Sequence, residues 1–142
     1  MNALPIPARS PRVLLAEDDD AMRALVAEAL TDLGYEVIEA TDGEDALPWP
    51  PEDPSSDWFE FDVDLIISDY RMPRLDGLDL LALARRGHHT VPVIIISAFA
   101  DIDLQQQAAS LGAAAVLAKP FALADLVEAV RDALETAALL KA

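Results

Sequence analysis

The chain has 142 residues, the size of one ordinary domain, long enough to bury roughly two-thirds of the surface its unfolded form exposes. Its 53% apolar content includes no run near the roughly 20 residues that span a bilayer, and the lack of cysteine excludes disulfides, thiolate metal sites and Cys nucleophiles. A formal charge of −16, from 26 acidic and 10 basic residues with no cationic cluster longer than Arg85-Arg86, argues against direct nucleic-acid binding and favours a small cation or a basic partner.

Residues 1–11 carry three prolines and no apolar segment of the kind a secretory signal needs, so they read as a short flexible arm on a cytoplasmic protein. Val13 to Ala16 is an apolar run without alternation, the pattern of a strand covered on both faces by helices. It stops at four acids, Glu17 to Asp20. Met22, Leu25, Val26, Ala29, Leu30 and Leu33 then recur at helical spacing, with Gly34 as a stop. Tyr35 to Glu39 reads as a second strand, and Asp42-Gly43 opens a brief helical stretch that Pro48 ends.

Residues 48–62 hold four prolines and both tryptophans, Trp49 and Trp58, and read as an inserted loop. Leu65 to Ser68 is a third strand, Gly77 to Arg86 a helix, and Val91 to Ile96 a fourth strand rich in β-branched residues. Ile102 to Leu111 gives another helix, stopped by Gly112, and Ala114 to Ala118 a fifth strand. Leu123 to Leu140 gives a last helix with Leu123, Leu126, Val127, Val130 and Leu134 on one stripe. Five strands alternating with five helices predict an α/β fold over residues 12–140, a doubly wound parallel sheet with helices on both faces; the common flavodoxin-like (βα)5 order for such a sheet is 2-1-3-4-5.

Sheets of this kind bind ligands beyond the carboxyl ends of their strands, where the strand order reverses. The polar residues there are Glu17 and Asp18 after the first strand, Asp69 after the third, Ser97 after the fourth and Lys119 after the fifth. If the first and third strands are neighbours, three carboxylates converge, and close pairs repel by roughly 4 kcal/mol at 4 Å and an effective dielectric near 20. A divalent cation and a lysine would neutralise them. Mg²⁺ fits, since it takes oxygen ligands and keeps much of its water. A carboxylate beside Mg²⁺ and an ammonium can attack phosphorus while a hydroxyl such as that of Ser97 donates to a phosphoryl oxygen. Asp19 and Asp20 open a helix and read as cap and dipole partners instead.

The segments VLLAEDDDAMR at 13–23, LIISDYRMPRLDG at 65–77, IIISA at 94–98 and LAKPF at 117–121 resemble the receiver domains of bacterial two-component signalling, from about residue 12 to about residue 137. The resemblance implies a response regulator whose phosphoacceptor is Asp69, with Glu17 and Asp18 as the acidic metal pair and the backbone carbonyl of Arg71 as a further Mg²⁺ ligand. It gives Ser97 and Lys119 the roles of the phosphoryl-contacting hydroxyl and ammonium, and implies a cis Lys119–Pro120 peptide. It further implies a sensor histidine kinase or phosphotransfer protein as donor and a downstream protein target, and it leaves open a homodimer through the switching face, which receivers often form. Such a module catalyses only its own phosphorylation and dephosphorylation and is no metabolic enzyme. Because the chain ends soon after its last helix, no output domain is expected, and Met1 favours a free-standing receiver.

Two positions depart from the family. Val116 stands where many receivers carry a Tyr or Phe that rotates on phosphorylation, which keeps a phosphorylation-independent interaction module as a rival reading. A haloacid-dehalogenase-like phosphatase would need a second acid where Arg71 stands, and a flavin module would need a phosphate-cradling loop after the first strand. Phe99, two residues after Ser97, is bulky enough to shield an aspartyl phosphate, whereas His88 and His89 have no third metal ligand near in sequence.

Overall fold

The computed structural model describes residues 10–47, 63–86, 90–98 and 100–141. Along them run β1 (Arg12–Ala16), α1 (Asp20–Asp32), β2 (Glu36–Ala40), β3 (Leu65–Asp69), α2 (Gly77–Arg86), β4 (Val93–Ser97), α3 (Ile102–Ser110), β5 (Ala115–Ala118) and α4 (Leu123–Lys141). The strands form one parallel sheet in the expected order β2-β1-β3-β4-β5, so β1 and β3 are neighbours.

Successive side chains of a strand point to opposite faces, and here both faces are apolar. Val13, Leu15, Leu65, Ile67, Ile94 and Ile96 pack with Val26 and Leu30 of α1 and Leu126 and Val130 of α4. Leu14, Ala16, Ile66, Val93 and Ile95 face the other way and meet Leu80, Leu81 and Ala84 of α2. The buried stripe of α1 is narrower than the sequence pattern suggests, because Leu25 and Leu33 are each 49% exposed while Val26, Ala27 and Leu30 are buried. Gly34 and Gly112 follow α1 and α3 with φ of 94° and 81°, left-handed conformations that a residue without Cβ adopts at no steric cost.

The short helix expected after the second strand is replaced by consecutive turns over 41–47, leaving four helices among the described residues. Aspartate side chains take the backbone donors there: Asp45 accepts from the Thr41 amide at 2.9 Å and Asp42 from the Asp45 amide at 2.7 Å, an alternative to the helical ladder. Ala46 still reaches the second core, 6% exposed. The expected loop over 48–62 with Trp49 and Trp58, the arm through residue 9, His88, His89 and Phe99 lie outside the described residues.

Candidate functional site

Sheet register brings the candidate residues together. Ala16 pairs with Ser68, so the next residue on each strand, Glu17 and Asp69, stand side by side at the carboxyl edge of the sheet. Asp69 pairs with Ile96, and Ser97 with Ala118, which sets Ser97 between Asp69 and Lys119 in the order of the strands. Asp69 and Ser97 are the final residues of β3 and β4 rather than the first residues past them. Glu17, Asp69 and Ser97 are all buried, while Asp18 is exposed.

The carboxylates of Glu17, Asp18 and Asp69 each offer an oxygen within 4.8 Å of the others. The Lys119 ammonium donates to Glu17 Oε1 at 2.9 Å and to Asp69 Oδ2 at 3.0 Å, with its side chain 21% exposed. Glu17, a charged group almost out of water, is held at every polar atom. Its amide donates to the Ala40 carbonyl at 3.0 Å, its carbonyl accepts from Arg23 Nη1 at 2.8 Å, and Oε2 accepts from the Asp19 amide at 3.4 Å, the loosest contact of the set. Burial without such partners would cost several kcal/mol, on the order of that for any unpaired buried ion.

These surroundings shift the acids in one direction. Burial raises the Glu17 pKa above its ordinary 4.5, and the hydrogen bond with Asp69 raises it further, against the lowering effect of Lys119. Asp18 is also raised, first by partial burial and then by Glu17. Burial alone would lower the Lys119 pKa, but the carboxylates of Glu17 and Asp69 outweigh it and hold the ammonium above 10.5.

Two features outside the charged cluster shape it. Gly77 begins α2 so close to the end of β3 that a Cβ there would lie 2.7 Å from the Asp69 carbonyl oxygen, and its amide donates to the Tyr70 carbonyl at 2.9 Å. The Lys119–Pro120 peptide is cis, as the resemblance implies. Asp19 is the N-cap of α1, accepting from the Met22 amide at 3.0 Å, and Asp20 pairs with Arg23 at 2.6 Å, consistent with their exclusion from the site. The Arg71 guanidinium lies 5.8 Å from the centroid of the Tyr70 ring. Val116 is half-buried and borders a cavity of about 250 Å³ shared with Gln105, Ala109, Ala113 and Ala115.

The donor set suits a hard divalent cation. Three carboxylates meet one ammonium, which leaves the cluster negative, and oxygen ligands from only three side chains leave room for retained water, as Mg²⁺ prefers. Sequence reasoning found these groups because each follows or ends an apolar run. It did not single out Arg23 or Gly77, which lie inside the quoted segments but meet the site at the backbone carbonyls of Glu17 and Asp69, contacts that no residue pattern reports.

This arrangement is that of a response regulator receiver domain, and the chain belongs to that family: the family's sequence model, "Response regulator receiver domain", matches residues 13–131. Among relatives, the transcriptional regulatory protein PdtaR of Mycobacterium tuberculosis is 38% identical over 120 residues, covering 84% of this chain and 54% of PdtaR. The probable chemotaxis protein CheY of Rhizobium etli is 37% identical over 134 residues, covering 90% of this chain and 98% of that protein. The chain thus spans about half the length of PdtaR and nearly all of the Rhizobium protein. Among solved structures, the Francisella response regulator 1452 receiver domain superposes with a TM-score of 0.77 at 28% identity, covering 90% of this chain and 99% of that one. Vibrio cholerae chemotaxis protein CheY4 gives a TM-score of 0.73 at 27% identity, covering 87% and 98%. Among the described residues no helix is long and apolar enough to cross a membrane.

Proposed function

We propose that this chain is the phosphoacceptor of a two-component phosphorelay, receiving a phosphoryl group on Asp69 from a phosphohistidine and changing its affinity for a protein partner as a result. The observation that carries the reading is the convergence of the Glu17, Asp18 and Asp69 carboxylates, with the Lys119 ammonium 2.9 Å from Glu17 and 3.0 Å from Asp69. Asp69 is the group whose carboxylate oxygen attacks phosphorus; the P–N bond of the donor breaks and its electron pair stays on the imidazole nitrogen. Lys119 and the Ser97 hydroxyl donate to phosphoryl oxygens as charge grows on them. Mg²⁺, held by Glu17, Asp18, Asp69 and the Arg71 carbonyl, would neutralise the remaining charge on those oxygens.

In this reading the chain is a signalling module that turns over once per signal, working in the cytoplasm where a sensor histidine kinase or phosphotransfer protein supplies the phosphoryl group. Its output is a downstream protein, or a second copy of itself, engaged through the face of α3, β5 and α4. Direct contact with nucleic acid or membrane has no part in it, in keeping with the charge of −16. The second reading, a phosphorylation-independent interaction module, is favoured by one observation: Val116, half-buried on β5, stands where the family's switch would need a rotating aromatic ring. Transfer of labelled phosphate from a phosphorylated histidine phosphotransfer domain separates the two. Label on the native chain that is absent from Asp69→Asn supports the relay; no label on either supports the interaction module.

A further inference from the structure

Arg23 stands in the first turn of α1 with its side chain only 15% exposed, and its guanidinium reaches three groups on three parts of the chain. Nη1 donates to the Glu17 carbonyl at 2.8 Å, Nη2 to the Asp20 carboxylate at 2.6 Å, and Nε lies 3.6 Å from Glu39 Oε1 on β2. The two carboxylates fix the guanidinium plane from the helix and from the neighbouring strand, and the remaining nitrogen is aimed at a backbone atom. That atom belongs to the peptide joining Glu17 to Asp18. Because the peptide unit is planar, fixing its oxygen fixes the plane from which both acidic side chains depart. The other end of Glu17 is already tied, its amide donating to the Ala40 carbonyl at 3.0 Å.

The geometry points to Arg23 as a positioning residue for the metal pair, holding the Glu17–Asp18 peptide so that two of the three carboxylates keep the spacing and aim that Mg²⁺ requires. The inference rests on the reading of Glu17, Asp18 and Asp69 as a Mg²⁺ site. It assigns Arg23 an effect opposite in sign to that of its charge. A guanidinium near an acidic cluster repels a cation, so if charge were all that mattered its removal would tighten Mg²⁺ binding. If position matters, removal weakens it. Lysine cannot substitute, since a compact ammonium on a flexible stem does not present three donors spread in one plane.

The test is calorimetric titration of Mg²⁺ into the native chain, Arg23→Ala and Arg23→Lys, with thermal melting of each in the absence of metal. The expected result is a loss of about tenfold in Mg²⁺ affinity for Arg23→Ala, in the range seen when residues that orient metal ligands are removed, and a smaller loss for Arg23→Lys. Equal or tighter binding by Arg23→Ala overturns the inference, as does a drop in melting temperature with Mg²⁺ affinity unchanged, the mark of a merely structural role. Should Arg23→Ala not fold, Arg23→Lys decides: its charge is that of the native residue, so native affinity in that variant overturns the inference. A native chain that binds no Mg²⁺ overturns the metal-site reading and this inference together, whereas a native chain that binds with variants that bind equally well overturns this inference alone.

Discussion

Glu17 carries the sharpest conflict in the molecule, a carboxyl that burial drives toward neutrality and that the proposed metal needs ionised. Folding raises its pKa above the ordinary 4.5, first through burial and then through Asp69, so the native state holds that proton more tightly than the unfolded chain does. The stability linked to this proton is complete below pH 4.5 and is lost as pH rises through the raised native value. Binding of Mg²⁺ runs in the other direction, because a cation competes with the proton for the same oxygens. The rise in melting temperature on adding Mg²⁺ is therefore largest at neutral pH and fades as pH falls toward the carboxylate range; a rise independent of pH would rule out ligation by Glu17. Glu17→Gln removes the competition, and its expected outcome is a metal-free protein at least as stable as the native one at neutral pH that Mg²⁺ no longer stabilises. Lys119 offers the complementary case. Its ammonium occupies the same carboxylates at 2.9 and 3.0 Å, so Lys119→Met should tighten Mg²⁺ binding by about tenfold, equivalent to ~1.4 kcal/mol of repulsion removed, when measured by calorimetry.

The start of α2 is set by contact with the end of β3. With 2.7 Å between a would-be Cβ at Gly77 and the Asp69 carbonyl oxygen, Gly77→Ala must displace either the helix or the strand end. The expected cost is about 1–3 kcal/mol, the usual range for overpacking, together with slower phosphorylation, read from denaturant melts and labelling rates on the same samples. A variant with native stability and rate would show that the loop after β3 yields freely. Strands and most helices were legible because β1, β3 and β4 are buried on both faces and leave unbroken apolar runs, and because Gly34 and Gly112 mark helix ends. The turns over 41–47 were not, since Asp42 and Asp45 read equally as helix-opening residues and as side chains that divert the backbone donors they bind. Leu25 and Leu33 misled for a related reason: an apolar residue on the flank of a stripe satisfies the period without being buried. In the site, the charged groups were visible as interruptions of apolar runs, whereas the anchoring of Glu17 by Arg23 runs through a carbonyl oxygen and leaves no trace in residue identity.

Across the whole molecule the charge of −16 is a standing self-repulsion that the compact fold must bear. Monovalent salt screens it, so the melting temperature of the metal-free chain should climb between low and physiological ionic strength. No change would mean that the acidic surface is dispersed enough to be harmless. In the proposed reading the same field would draw Mg²⁺ toward the carboxyl edge of the sheet, where the strand order reverses and where Glu17, Asp18, Asp69 and Lys119 meet. Fold, field and site thus converge on one chemical event, and the most direct test of it is intact mass after incubation with acetyl phosphate, with and without Mg²⁺, for the native chain and Asp69→Asn. The account predicts one phosphoryl adduct that requires Mg²⁺ and is missing from the variant. An adduct that persists in Asp69→Asn, or none on the native chain even with a phosphohistidine donor, would contradict it.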